Sequence, residues 1–211
     1  MDYYLSSRGL GKNLTEFQKL FPKNKKTLFV QNAMDYSKDH KNLEKRLNHY
    51  MWLLEGLGLE PEQLDLRKYF GKKKALEKKM KSAGVIWVSG GNVFVLRQAM
   101  KLSGFDKILL KLSKKDDLLY GGASAGTCIL APSLRGIEIA DSLKQNPYHV
   151  KTIWEGLGLI DYLPLPHYKA RGWSRTIQRI IEYCLKHRIV FRVLKNGEVI
   201  TIKKGKEKLL Q

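Results

Sequence analysis

Hydrophobic residues follow two alternating patterns along this chain. Short apolar runs bounded by turn-forming residues predict buried strands. These runs are Tyr3–Ser6, Thr27–Val30, Leu64–Leu66, Val85–Val88 and Leu118–Tyr120. Between the runs, apolar residues at helical spacing predict amphipathic helices. The helical stripes are Leu43, Leu47, Tyr50, Met51 and Leu54, then Leu76, Met80 and Ala83, then Phe105–Leu112, then Ile177, Ile180, Ile181, Cys184 and Leu185.

Turn-forming residues mark the borders of these elements. Asn92 and Ser174 are each expected to cap the helix that follows. Near the carboxyl end, Asn196-Gly197 predicts a β-hairpin with a type I′ turn. The apolar runs on either side of this turn, which would form the paired strands, are Ile189–Val193 and Val199–Ile202.

The alternation of strands and helices indicates the α/β class. Such chains build a mostly parallel sheet with helices on both faces, which is a three-layer α/β/α sandwich. The predicted C-terminal β-hairpin would close this sheet. Because no repeat or linker-like segment interrupts the 211 residues, residues 1–211 are expected to form a single domain.

The chain is strongly basic, with 39 Lys and Arg against 20 Asp and Glu and a formal net charge of +19. Clustered cations of this kind also neutralise phosphates in nucleic-acid-binding proteins. The lysines concentrate in Lys23–Lys26, Lys72–Lys81, Lys111–Lys115 and Lys203–Lys208. By contrast, residues 116–166 hold six acidic and three basic side chains. We therefore expect a solvated basic surface, with nucleic-acid binding as the less favoured alternative.

Several classes of protein are disfavoured by what the sequence contains. The longest uncharged stretch, Leu118–Leu134, has 17 residues, fewer than the roughly 20 that span a bilayer. The first 30 residues show no apolar block behind basic residues, so no secretory signal is expected. The two cysteines, Cys128 and Cys184, form no CxxC pair, which disfavours a disulfide framework or a cysteine metal site. These features favour a cytoplasmic protein.

One motif carries candidate chemistry. The segment Gly122-Ala123-Ser124-Ala125-Gly126 fits G-x-S-x-G and directly follows an apolar strand. In that context the motif forms a nucleophile elbow, a sharp turn that exposes the serine hydroxyl. The N–H of Ala125, with the positive end of the following helix, would then stabilise an oxyanion. Ser124 is therefore the predicted nucleophile.

A second glycine turn, Ser89-Gly90-Gly91-Asn92, also follows a predicted strand. Because the carboxyl ends of parallel strands meet at one edge of a sheet, N–H groups of this turn could supply the other half of an oxyanion hole. The alternative is a plain strand-to-helix turn capped by Asn92.

A serine nucleophile also needs a base. Among the five histidines, His167 follows a short apolar strand, whereas His149 lies in a polar segment, and we favour His167. Ordinary α/β-hydrolases have the order Ser, acid, His, for which Asp141 and Asp161 are available. An order with the third member after His167 is equally open on the sequence.

Three segments together resemble the peptidase E family of serine peptidases, the aspartyl dipeptidases. These segments are 85–94 with its glycine turn, the elbow at 122–126, and Pro166-His167-Tyr168. The family is related in fold to class I glutamine amidotransferases, and the resemblance covers most of the chain. It implies a flavodoxin-like sandwich and a triad in the order Ser, His, acid, acting on short peptides without metal or cofactor.

The resemblance also implies roles for particular residues. Ser124 would be the nucleophile, His167 the base, and the amides of Gly91 and Ala125 the oxyanion hole. Family members hydrolyse short peptides, and the best known of them take dipeptides with an N-terminal aspartate. The nearest match to the Arg that would bind that carboxylate is Arg175.

The third triad position departs from the family pattern. Where the family has Glu or Asp, this chain has Asn196. Asn can orient an imidazole but cannot offset the charge of an imidazolium. Glu198, two residues on, is the alternative third member, and a purely structural turn is the other interpretation of Asn196.

The leading hypothesis is therefore a serine peptidase that acts on short peptides, as a monomer or homodimer. A catalytically weak or inactive relative that serves as a binding or regulatory protein is the main alternative, because Asn196 replaces an acid. Nucleic-acid binding through the lysines is a third hypothesis, and a Ser-Asp-His esterase a fourth.

Overall fold

Strands and helices alternate along most of the chain in the computed structural model, which describes residues 1–114 and 116–211. Lys115, in the predicted cluster Lys111–Lys115, lies outside the described residues. The strands are β1 (Asp2–Ser6), β2 (Lys26–Val30), β3 (Glu60–Gln63), β4 (Val85–Val88), β5 (Leu119–Ala123), β6 (Leu163–Tyr168), β7 (Phe191–Lys195), β8 (Val199–Lys203) and β9 (Lys206–Leu210). The helices are α1 (Leu14–Gln18), α2 (His40–Gly56), α3 (Lys73–Lys81), α4 (Val93–Ser103), α5 (Phe105–Leu112), α6 (Ala125–Cys128) and α7 (Ser174–Lys186).

The central sheet has the strand order β3-β2-β4-β5-β1-β8-β9. The first five strands are parallel to one another. At one end β8 runs antiparallel to β1, and β9 antiparallel to β8. The predicted flavodoxin-like α/β/α arrangement with a mostly parallel sheet is confirmed.

The two sides of each strand bury their residues under different helices. In β4, Ile86 and Val88 face a core built with α3 to α7, whereas Val85 and Trp87 face a core built with α1 and α2. Alternation of this kind follows from the two-residue period of a strand. Since both faces are covered, all four residues of β4 are fully buried and apolar.

The predicted strand at Leu64–Leu66 is wrong. The edge strand is the polar segment Glu60–Gln63, which pairs in parallel with β2. Leu64 and Leu66 are buried in the core after the strand has ended. Asp65 accepts a hydrogen bond from the N–H of Arg67 and thereby starts a short 3₁₀ turn. Burial of the two leucines comes from packing and not from strand pairing.

The predicted hairpin around Asn196-Gly197 is also wrong, although a C-terminal hairpin exists. β7 pairs with β6 in a separate two-stranded sheet, whereas β8 pairs with β1 and β9. Gly197 has φ +96°, but Asn196 does not have positive φ, so the turn is not type I′. The C-terminal hairpin is formed by β8 and β9.

Helix α7 begins one residue earlier than predicted, at the residue that was expected to cap it. Trp173 occupies the N-cap position, and Ser174 is the first helical residue. The Ser174 hydroxyl donates to the carbonyl oxygen of Ala170 and does not cap the helix. By contrast, the predicted cap at Asn92 is confirmed, because its side chain accepts from the N–H groups of Phe94 and Val95.

In the described part of the chain, no helix is long and apolar enough to cross a membrane. Cys128 and Cys184 are both free and buried. The expected cytoplasmic location stays a prediction.

Candidate active site

The candidate site lies where three neighbouring parallel strands end. β4, β5 and β1 are adjacent in the sheet, so the segments that follow them meet at one edge. These segments contribute Arg8, Gly90, Gly91 and Ser124 to the wall of a cleft of about 600 Å³. His167 lines the same cleft from the bulged end of β6.

Ser124 occupies a sharp turn between β5 and α6. Its backbone has φ 51° and ψ −111°, a conformation that is costly for a residue with a side chain. Flanking glycines allow the turn to close: a Cβ on Gly122 would lie 2.5 Å from the Gly126 carbonyl oxygen, and one on Gly126 would lie 2.1 Å from the Val88 carbonyl oxygen. Tight packing on both sides therefore holds Ser124 in this strained geometry.

A bulge near the end of β6 positions His167. The β6–β7 register shifts between Leu165 and Tyr168, so β6 holds one extra residue there, and His167 has φ +63°. The backbone N–H of His167 donates to the Ser7 hydroxyl at 2.8 Å. The imidazole stacks on the indole of Trp173, with ring centroids 4.7 Å apart.

The imidazole of His167 joins two other side chains. Its Nε2 lies 3.0 Å from the Oγ of Ser124. Its Nδ1 lies 2.9 Å from the Oδ1 of Asn196. With Oδ1 as acceptor, Nδ1 carries the ring proton, and Nε2 is free to accept the serine proton.

Burial lowers the pKa of His167 from its ordinary value, and the positive charge of Arg8 lowers it further. The hydrogen bond to Asn196 raises this pKa, by less than burial lowers it but by more than Arg8 does. A neutral imidazole is therefore favoured at neutral pH, which is the form that can accept a proton.

The structure separates the alternatives for the third position. The carboxylate of Glu198 is engaged with Lys195: its Oε2 accepts from the N–H of Lys195 at 2.7 Å, and its Oε1 lies 3.7 Å from the ammonium of the same lysine. Asp141 lines the cleft, but its Oδ2 accepts from the N–H of Val93 at 2.7 Å. Of the candidates from the sequence, Asn196 is the one in contact with His167.

The other sequence candidates lie elsewhere. His149 and Asp161 are exposed, and neither lines the cleft. The Ser, Asp, His order of ordinary α/β-hydrolases is therefore not found here. Burial of Asp141 raises its pKa to about 6.

Among the backbone N–H groups that border the cleft, two that have no acceptor within the described residues are important for the chemistry. They belong to Gly91 and Ala125, the pair expected to form an oxyanion hole. A Cβ on Gly91 would lie 2.4 Å from the carbonyl oxygen of Ala33, so the turn needs glycine there. Helix α6 spans only Ala125–Cys128, so the expected contribution of a helix dipole is small.

The side chain expected to bind the substrate carboxylate, that of Arg175, lies outside the cleft. Arg175 is exposed on α7 and does not line the cleft. Three other arginines do so: Arg8, Arg46 and Arg171. Arg8 is the second residue after β1, a position that the strand-end argument could have identified, whereas no local pattern marks Arg46.

Ser7 is a residue that the sequence interpretation missed. It is fully buried after β1. Besides accepting from the N–H of His167, its hydroxyl lies 3.2 Å from the carbonyl oxygen of Leu194 and 3.3 Å from Oδ1 of Asn196. Ser7 thus connects the strands that carry the imidazole and its partner.

A serine beside an imidazole, at the carboxyl edge of a parallel α/β sheet, describes the class of α/β serine hydrolases. Comparison with known proteins narrows the class. Residues 6–210 match the family model of Peptidase family S51. The chain belongs to this family of serine-type peptidases, the peptidase E family.

Individual relatives agree with this assignment. An uncharacterized peptidase of Listeria monocytogenes is 36% identical over 156 residues, which cover 73% of this chain and 72% of the relative. A protein of Drosophila melanogaster named "probable alpha-aspartyl dipeptidase" is 25% identical over 194 residues, or 88% and 72% of the two chains. A crystal structure from Listeria monocytogenes assigned to peptidase E has a TM-score of 0.77 and 25% identity, covering 100% of this chain and 98% of its own.

Proposed function

We propose that this chain hydrolyses short peptides with Ser124 as nucleophile and His167 as general base. The supporting observation is the 3.0 Å separation of Ser124 Oγ and His167 Nε2 in an open cleft. As Oγ bonds to the scissile carbonyl carbon, its proton moves to Nε2. His167 then donates that proton to the leaving amine, and water hydrolyses the acyl-enzyme by the same route.

Stabilisation of the tetrahedral intermediate falls to the amides of Gly91 and Ala125. Their N–H groups border the cleft and are free of other acceptors within the described residues. Donors fixed in place before the reaction stabilise the oxyanion without reorganisation. The strained elbow at Ser124 brings the nucleophile to the same place.

Asn196 is assigned the role of orienting His167. Its Oδ1 holds Nδ1–H at 2.9 Å, which keeps Nε2 free for the serine proton. A neutral amide does not offset the imidazolium charge that forms during attack, so turnover is expected to be slower than with a carboxylate.

We propose acidic short peptides, including dipeptides with N-terminal Asp, as substrates. Arginines on the cleft wall can bind carboxylates, and Arg171 replaces Arg175 as the candidate ligand because it lines the cleft. The name of the Drosophila melanogaster relative, which contains "alpha-aspartyl dipeptidase", supports this substrate class.

The test compares Asp-X dipeptides with matched Asn-X dipeptides, in the unmodified protein and in Ser124→Ala. Turnover that needs Ser124 and favours Asp-X is expected. Arg171→Met should raise KM for Asp-X, while Arg175→Met serves as the matched control and should leave it unchanged. Equal turnover by Ser124→Ala would remove the proposal, and equal KM values for Asp-X and Asn-X would remove the acidic specificity.

A binding or regulatory protein with little turnover is the second candidate. It is favoured by Asn196 in the third position and by the engagement of Glu198 with Lys195. Tight binding of an Asp-X dipeptide without cleavage, measured by calorimetry, would support this role.

A further inference from the structure

Arg46 reaches the cleft from helix α2 and contacts the turn that follows β4. Its Nη2 donates to the carbonyl oxygen of Gly90 at 3.1 Å, and its guanidinium lies 5.7 Å from the ring centroid of Tyr50. In the part of the chain that the structure describes, no carboxylate lies within 4 Å of this guanidinium. Arg46 is thus committed to a backbone carbonyl and not to an ion pair.

The carbonyl of Gly90 and the N–H of Gly91 belong to the same peptide group. Such a group is planar and trans, so its oxygen and hydrogen point in opposite directions. A donor that fixes the oxygen therefore also fixes the direction of the N–H. This peptide joins two glycines, whose backbones have the widest conformational freedom. A hydrogen bond from a side chain outside the turn therefore strongly restricts the orientation of this peptide.

The positive charge of Arg46 also favours hydrogen bonding by the N–H of Gly91. A hydrogen bond from a cation is stronger than one between neutral groups, and it polarises the amide so that its N–H becomes a better donor on the far side. Within the described residues the buried Nε of Arg46 has no acceptor, and the Gly90 carbonyl is the acceptor that its side chain contacts. The benefit grows as negative charge develops on an oxyanion bound to Gly91 N–H.

We propose that Arg46 is a positioning residue that orients and polarises the Gly90–Gly91 peptide, so that the N–H of Gly91 is directed at the oxyanion. This role rests on the proposed function, in which Gly91 supplies one of the two oxyanion donors. Arg46 acts through the peptide and not through contact with the substrate.

The test uses Arg46→Met, which keeps much of the side-chain volume and removes every donor, and Arg46→Lys, which restores one cationic donor. Loss of an oxyanion donor lowers kcat about 10²–10³-fold. Since Gly91 stays in place, we expect Arg46→Met to lower kcat about 10- to 100-fold with KM unchanged, and Arg46→Lys to recover part of it. Lys45→Met, at an exposed position on the same helix, removes a charge and should leave kcat unchanged.

Two further readouts separate this role from a structural one. A peptide boronate, which forms a tetrahedral adduct with an active serine, should bind Arg46→Met more weakly by the same factor as kcat falls. In the unmodified protein, the amide proton resonance of Gly91 should move downfield when the boronate binds, and the shift should be smaller in Arg46→Lys. This measurement keeps the proposal testable even where Arg46→Met fails to fold.

Different outcomes overturn different claims. An active unmodified protein with unchanged kcat in Arg46→Met would overturn the positioning role alone. A rise in KM confined to acidic peptides, with kcat unchanged, would make Arg46 a substrate ligand and also overturn it. An unmodified protein without peptide turnover or boronate binding would overturn the proposed function and this role with it.

Discussion

At the scale of residues, the pairing of His167 with a neutral side chain distinguishes this site. Asn196 gives the imidazole its orientation and its tautomer but no compensating charge. Burial lowers the pKa of His167, and the positive charge of Arg8 lowers it further. The neutral, proton-accepting form of the imidazole therefore persists to mildly acidic pH. The imidazolium that forms in the transition state, however, is poorly stabilised.

Substitution of Asn196 by Asp should raise the pKa of His167 and stabilise its protonated form. A carboxylate beside Nδ1 stabilises the imidazolium, so the pKa of His167 should rise and kcat should increase between about 10-fold and 10⁴-fold. Peptide turnover across pH measures this. Because the neutral base is the active form, the acid limb of kcat/KM should have its midpoint below pH 6.5 in the unmodified protein, given the lowered pKa of His167, and higher in Asn196→Asp.

Asn196→Ala is the matched control, and it should lower kcat because the tautomer is no longer fixed. An acid limb that does not move in Asn196→Asp would show that residue 196 does not act on the base.

At the scale of elements, the parts of the site at the sheet edge were predictable, and those held by the small second sheet were not. Ser124 and Gly91 each follow an apolar strand and a glycine turn, and local sequence marks both. The hairpin prediction at Asn196-Gly197 failed because local turn signals do not report which strands pair. β7 joins β6, and that pairing brings Asn196 to His167.

Other site residues carried no signal in the sequence. In the sequence, Ser7 lies more than a hundred residues from His167, and Arg46 lies about eighty residues from Ser124. Only the folded chain brings them to the site. Arg175 was expected from the family resemblance, yet its position on α7 leaves it in solvent.

Close packing of the elbow against β4 gives a prediction for stability. A Cβ at residue 126 would lie 2.1 Å from the Val88 carbonyl oxygen, so Gly126→Ala has to displace backbone. We expect it to lower the free energy of unfolding by about 1–3 kcal/mol. Denaturant titration with circular dichroism measures the change.

Gly56→Ala is the control for this prediction. Gly56 ends α2, and a Cβ there would meet no atom of the described residues within 4 Å, so alanine should be neutral or stabilise the helix by about 0.5 kcal/mol. Equal stability of Gly126→Ala and the unmodified chain would mean that the elbow does not need its glycine.

At the scale of the whole molecule, the two hydrophobic cores share one sheet. Alternate residues of β4 and other central strands belong to opposite cores, so loss of one core exposes the strands that support the other. We expect residues 1–211 to unfold in one cooperative transition, with equal calorimetric and van't Hoff enthalpies. Two resolved transitions would contradict a single domain.

The net charge of +19 also belongs to this scale. Part of the lysine-rich surface is engaged in ion pairs: Glu77 contacts Lys81 and Lys111, and Glu62 contacts Lys79. We expect single-stranded RNA to leave peptide turnover unchanged at about 0.15 M salt, where exposed charges are screened beyond roughly 8 Å. Inhibition that persists at this salt concentration would favour the nucleic-acid alternative. Whether the chain is a monomer or a homodimer stays a prediction.

Reaction of the native protein with a fluorophosphonate, followed by mass spectrometry of its peptides, tests the Ser124–His167 pair most directly. Phosphonylation requires a hydroxyl that is both activated and open to solvent. We predict one adduct, on Ser124, which is absent from Ser124→Ala and forms much more slowly in His167→Ala. An unlabelled Ser124, or labelling at the same rate without His167, would contradict the account.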